Sequence, residues 1–240
     1  MGTIYGLGLG PGDPDLMTVR AARLLAAAGH VAFFRKAGRP GRARTIVEGL
    51  LPPTAVELAM EYPVTTEIPV DDPRYNALLS GFYARWAGQL GALVEAGRDV
   101  VVLCEGDPFF YGSFMHLHAR LKDRCRVEVV PGITAMSAAW TASGQPVTWG
   151  DDVLTVLPGT LDEERLTAGI AQADAVVVMK LGCHLDRVRR AFDRAGRGDD
   201  AWLVQCATLP EQRVVPLRAY ERRSTPYFSI VVAHGRGRRP

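Results

Sequence analysis

The 240-residue sequence predicts an α/β protein of two α/β domains, the first on a mostly parallel sheet and the second on a mixed sheet. Three observations carry the prediction. The chain opens on an apolar strand at residues 3–9 that runs through a glycine turn into a helix-patterned stretch. Residues 99–104 are a continuous apolar run, as expected of a buried parallel strand, and again lead through a turn into a helix. Beyond residue 124 strands and helices still follow one another, but less regularly.

The elements follow in order. Thr18 is placed to cap a helix over residues 18–28, and a second strand covers 30–34. A loop at 36–44 leads to a helix near 45–50, and a segment with several prolines runs on to Asp72-Pro73. A long amphipathic helix spans roughly 74–96 and stops at Gly97. After the strand at 99–104 a helix covers about 112–121, and the polar turn at 122–124 is the expected domain boundary, giving domains 1–121 and 122–240. The second half then offers strands at 126–130, 153–157, 175–179, 201–206 and 229–233, helices at 135–142, 163–171 and 185–195, and a short strand at 213–216. The Arg- and Gly-rich stretch 235–240 reads as a solvated, frayed end.

Composition excludes several classes of function. A chain that is 48% hydrophobic has a real core and is no disordered segment. A net charge of +2 makes no case for nucleic acid. Cys104, Cys125, Cys183 and Cys206 are scattered without a C-x-x-C pair, which suits reduced thiols of a cytoplasmic protein rather than a zinc site or a disulfide framework. No apolar stretch is long enough to span a bilayer, and the N-terminus lacks the pattern of a signal peptide, so no membrane role is expected.

Three loops share one logic: an apolar strand ends in glycine with a small or acidic residue. They lie at residues 8–13, 105–108 and 131–135, with a looser fourth at 179–182. Each alone is compatible with an ordinary βα turn, because such turns favour Gly, Pro and Asp. The first does not suit a dinucleotide. The third glycine of that fingerprint is replaced by Pro11 or Asp13, depending on register, and Arg35-Lys36 stands where a ribose-binding acid is needed. No Gly-Lys-Ser/Thr of a phosphate loop occurs.

Gly8-x-Gly10-Pro11-Gly12-Asp13-Pro14-Asp15-Leu16-x-Thr18 resembles the N-terminal signature of the tetrapyrrole (corrin and porphyrin) methylases. Gly106-Asp107-Pro108-x-x-Tyr111 resembles the second motif of that family, and Val130-Pro131-Gly132-Ile133-Thr134 the third, in the right order over essentially the whole chain. The string from Glu105 to Leu121 is most similar to the branch that methylates carbon 20 of precorrin-2 in cobalamin biosynthesis. The resemblance implies S-adenosylmethionine as methyl donor in a cleft between the two domains, a tetrapyrrole substrate, and a homodimer. Carried over residue by residue, it implies cofactor contacts from Pro11, Glu105, Gly106, Asp107, Phe110, Thr134, Ala135, Leu181 and Ala207. At Leu181 the register could shift to Met179. Glu105 departs from the pattern, since many relatives carry glycine there. Its carboxylate must point away from the carboxylate of the donor, or only its backbone contributes.

This chemistry suits such a ligand. Asp107 can accept from a ribose hydroxyl or an ammonium, and glycine-turn amides can hold a carboxylate. Methyl transfer from a sulfonium needs alignment more than covalent help, so no triad is expected and no catalytic residue is assigned. Arg35, Lys36, Arg39, Arg42 and Arg44 crowd into one segment, either a solvated loop or a cationic surface for the many carboxylates of a tetrapyrrole. Asp13, Arg35, Arg39, Arg42 and Tyr111 are the candidate substrate residues; Tyr111 reads equally as core. His116 and His118 do not share a helix face, so packing is expected of them and no metal. Rival readings are methylation of another ring position or of the cobalt-containing factor, and a non-catalytic sensor of a nucleotide or tetrapyrrole.

Overall fold

The computed structural model describes residues 1–65, 67–68 and 72–238, and divides into two compact units, Met1–Thr134 and Ala135–Pro240. The first is a five-stranded parallel sheet of order β3-β2-β4-β1-β5, with β1 Ile4–Gly8, β2 His30–Lys36, β3 Val56–Tyr62, β4 Val100–Cys104 and β5 Val127–Val130. The period of two along β4 sorts its side chains. Val100, Val102 and Cys104 face α3 (Pro73–Glu95) and α4 (Phe114–Leu121), whereas Val101 and Leu103 face α1 (Val19–Ala26) and α2 (Arg42–Ile46). Both faces are thereby covered, as a parallel sheet requires.

Local chemistry starts and stops these helices. Thr18 caps α1 by accepting from the Ala21 amide, and Asp72 caps α3 with Pro73 in its first turn. Gly97, at φ 80°, ends α3 in a conformation that side-chain-bearing residues rarely adopt.

Three sequence expectations change in this unit. The boundary falls later than residue 121, because β5 pairs with β1 and so belongs to the first sheet. Residues 56–62, expected within a connecting segment, form β3 at the sheet edge; Thr66, Pro69, Val70 and Asp71 of that segment lie outside the described residues. Helix α2 begins at Arg42 rather than near Thr45, with Gly41 before it and no side-chain cap to announce it.

The second unit has a five-stranded mixed sheet of order β6-β7-β10-β8-β9, with β6 Leu154–Pro158, β7 Ala175–Met179, β8 Ala201–Gln205, β9 Arg213–Pro216 and β10 Ser229–Ala233. Only β6 and β7 are parallel; β10 inserts antiparallel between β7 and β8. Val176 and Val178 face α6 (Glu163–Gln172) and α7 (Leu185–Arg194), and Val177 faces the small-residue helix α5 (Ala135–Ala142). The stretch after β10 is docked rather than frayed as far as it is described. Gly235 donates to the Val147 carbonyl at 2.9 Å, Gly237 to Asp152, and Arg236 pairs with Asp200; Arg239 and Pro240 lie outside the described residues.

Candidate active site

The three glycine loops of the first unit leave the carboxyl ends of adjacent strands, β4, β1 and β5, where open parallel sheets bind ligands. They are packed backbone against backbone. Gly10 and Gly106 form an isolated bridge, Gly106 donating to the Gly10 carbonyl at 2.8 Å, and Leu9 donates to the Cys104 carbonyl at 2.9 Å. A Cβ on Gly132 would lie 2.1 Å from the Gly106 carbonyl oxygen, and one on Gly8 would lie 2.6 Å from the Gly132 nitrogen. Glycine here is a requirement of close approach, and it brings the three predicted motifs into one cluster.

Asp107 fastens this cluster. Its Oδ1 accepts from the Phe109 amide at 2.8 Å and its Oδ2 from the Gly132 amide at 3.1 Å, so one carboxylate ties the second loop to the third. Each oxygen keeps a further lone pair for a ligand donor. Asp13 is also used locally, capping the 3₁₀ turn Pro14–Leu16 by accepting from Asp15 at 2.9 Å.

Glu105 follows directly on the end of β4. Burial of its carboxyl pushes its pKa up to about 7, against the opposing pull of the Arg42 charge and the Ala43 amide. Cys104 beside it is buried, which pushes its thiol above the ordinary range and leaves it inert.

Phe109, Tyr111 and Ile133 are exposed on the second and third loops. Phe110 and Tyr111 meet edge to face at 4.9 Å. Tyr111 is therefore not core, and it holds a φ of 55°. Thr134 and Ala135 are half-buried at the junction of the third loop and α5. In the second unit, Leu181 is buried after β7 and Ala207 is half-buried after β8. Each adjoins non-glycine residues at positive φ: Lys180 at 56°, then Cys206 at 50° and Thr208 at 71°. With Tyr111 these complete the set of such residues among those described. Strained backbone of this kind gathers at functional sites, and all four positions are predicted site residues or their immediate neighbours.

The basic segment is corrected most. Arg35 pairs with Glu61, Lys36 with Glu67, and Arg44 bidentately with Glu57 at 2.7 and 2.9 Å. Arg35 is thus committed to the sheet, and of the candidate arginines Arg39 and Arg42 are exposed. His116 stacks on Tyr83 at 4.6 Å and His118 meets Phe109 edge to face at 4.8 Å. Among the described residues no group of three or more His, Cys, Asp or Glu is placed to hold a metal ion, and no helix is long and apolar enough to cross a membrane.

The family model for tetrapyrrole (corrin/porphyrin) methylases matches residues 3–221. The chain belongs to this family. A precorrin-2 C(20)-methyltransferase of Sinorhizobium sp. is 48% identical over 240 residues, 100% of this chain and 98% of that protein. A cobalt-precorrin-2 C(20)-methyltransferase of Salmonella typhimurium is 29% identical over 97% of this chain and 96% of its own length. The methylase fold is also shared with the uroporphyrin-III C-methyl transferase from Thermus thermophilus complexed with S-adenyl homocysteine. That structure has a TM-score of 0.69 and 23% identity, over 97% of this chain and 92% of that one. The glycine cluster of this methylase thus carries all three motifs that suggested the family.

Proposed function

We propose that this methylase transfers the methyl group of S-adenosylmethionine to carbon 20 of precorrin-2 in cobalamin biosynthesis. The observation that carries the reading is 48% identity, end to end in both chains, to a precorrin-2 C(20)-methyltransferase. The lower identity, 29%, to the cobalt-precorrin-2 C(20)-methyltransferase favours the metal-free substrate.

The donor set suits S-adenosylmethionine. The main-chain carbonyl of Pro11 and the main chain of Glu105 and Gly106 line the glycine cluster, and Asp107 adds an acceptor there for an ammonium or ribose hydroxyl. Phe110, Thr134, Ala135, Leu181 and Ala207 supply the remaining contacts, four of them through apolar side chains. When bound, the donor supplies an electrophilic methyl on a sulfonium. The chain contributes orientation, since a cross-tied backbone cluster holds its contacts without rearrangement. Arg39 and Arg42 meet substrate carboxylates and Tyr111 offers an aromatic wall; Asp13 caps the turn that follows Pro11. The active form is a cytoplasmic homodimer that works without membrane or nucleic acid. The four cysteines are free thiols, the state that a reducing compartment maintains.

Incubation with precorrin-2 and isotopically labelled methyl donor tests the reading. The product should gain one labelled methyl by mass spectrometry, placed at carbon 20 by NMR. A methyl at another ring position, or turnover of only the cobalt-containing substrate, would overturn it.

A further inference from the structure

The loop of the second motif, from Asp107 to Ser113, is tied down at both ends. At its start the Asp107 carboxylate accepts from the Phe109 and Gly132 amides. At its far end Ser113 stands in the N-cap position of α4, where a serine hydroxyl ordinarily accepts from an amide of its own helix. Ser113 makes no such bond. Its hydroxyl is hydrogen-bonded instead to the hydroxyl of Tyr62, the last residue of β3. The sheet is parallel, so the carboxyl end of this edge strand lies on the same side as the loop after β4. The Tyr62 ring is itself held, stacked on Phe34 at 5.5 Å and tilted against Phe82 at 5.2 Å.

Between the two ties stands Tyr111, exposed and at a φ of 55°. A residue with a side chain keeps such a conformation only where its surroundings over-determine it. We propose that Tyr62 is a positioning residue for the tetrapyrrole: through the Ser113 hydroxyl it fixes the end of the loop that presents the Tyr111 ring to the macrocycle. The proposal rests on the tetrapyrrole reading above. It gives the two ties of the loop different work. Asp107 serves the methyl donor, whereas Tyr62 and Ser113 serve the acceptor. The structure favours this division, because the Asp107 tie runs to the third glycine loop and the Ser113 tie runs to the sheet edge.

Two single variants of the full-length protein and their combination are the test. Tyr62→Phe keeps the ring and its stacking, and Ser113→Ala loses no helix cap, so each removes the one bond. Each should raise KM for precorrin-2 about fivefold, with kcat and the Kd for S-adenosylhomocysteine within about twofold of wild type. The double variant should be no worse than either single one, because both remove one interaction. In a Tyr111→Leu background neither change should raise KM further, since the tie acts through that ring. Melting temperatures are measured alongside. A Tyr62→Phe variant that melts lower with KM unchanged would overturn the proposal, because the bond would then only fasten the edge strand. Multiplying effects in the double variant, or an undiminished rise of KM in the Tyr111→Leu background, would overturn it too. Substrate affinity is also read directly, by fluorescence titration with precorrin-2. A wild type that binds precorrin-2 without methylating it therefore fails the reading of the reaction, while the variants are still judged on their affinities.

Discussion

In the first unit the chain turns away from its strands on glycines; in the second it does so on residues that carry side chains. Gly10 and Gly106 adopt φ of 81° and 64° without penalty, and Gly132 admits the Gly106 carbonyl where a Cβ would stand. After β7 and β8 the same left-handed region is taken by Lys180, Cys206 and Thr208. Both arrangements give sharp turns at strand ends. The glycine version is relaxed and packed against backbone, while the other stores strain of order 1 kcal/mol or more per residue. The contrast shows two ways to make a sharp turn at a strand end: by removing side chains, or by forcing them.

The largest test strikes the glycine cluster. Gly132→Ala puts a methyl against backbone on two sides, so a loss of about 3 kcal/mol is expected in urea unfolding, the upper end for overpacking. Loss of S-adenosylhomocysteine binding should accompany it. Wild-type stability in the Gly132→Ala variant would show that the third loop is not held by its neighbours.

A second test uses pH. The folded-state pKa of Glu105 is raised, so the folded protein binds a proton more tightly than the unfolded chain. That contribution is fully present below the ordinary glutamate pKa and is lost as pH rises through about 7. Glu105→Gln should therefore gain on wild type between pH 5 and 8, by up to about 3 kcal/mol. Unfolding curves of both proteins at several pH values decide this; parallel curves would mean that the carboxyl is not shielded.

Asp107→Ala comes next. It removes the acceptor shared by Phe109 and Gly132, and a lost charge-assisted bond costs about 1.5–3 kcal/mol, or ten- to a hundredfold in cofactor affinity. Calorimetry on the folded variant reads it, and unchanged affinity would remove Asp107 from the site.

In the second unit the sign reverses. Lys180→Gly should stabilise by about 0.5–1 kcal/mol, because glycine occupies its backbone conformation without strain. A melting temperature that falls instead would mean that the Lys180 side chain holds more than its backbone costs. The smallest effect concerns the cations. Neutralising Arg39 and Arg42 together should raise KM for the tetrapyrrole by a few-fold, at about 0–1 kcal/mol each, and the effect should shrink with added salt. Wild-type kinetics at low salt would return the segment to a solvated surface.

The same contrast explains what could be read from the sequence. The first unit's motifs were legible because close backbone approach demands glycine and leaves it in the letters. Lys180, Cys206 and Thr208 carry no such mark, which is why Leu181 and Ala207 were placed only through a loose resemblance. The basic segment misled for a different reason. Its partners Glu57 and Glu61 stand on β3, and Arg35 is directly opposite Glu61 in the β2–β3 register. The alternation Val56, Leu58, Met60, Tyr62 was the available signal for that strand, obscured by prolines on both sides. Without β3, Arg35 and Arg44 stand in the sequence apart from their carboxylates. The domain boundary was misplaced because a polar turn marks a loop, and only pairing shows which sheet the next strand joins.

Strand β1 has one more consequence, in the order of events at the ribosome. It precedes the other four strands of its sheet, yet it lies between β4 and β5, with Ile4 opposite Val100 and Val127. At about 5–20 residues per second its second neighbour arrives roughly 6–25 s after it. Both edges of this apolar strand stay open until β4 is made and one stays open until β5, and the cluster of three glycine loops cannot form before then. The order in which this sheet is written therefore leaves the opening segment dependent on whatever shields it during synthesis, until β5 closes the sheet.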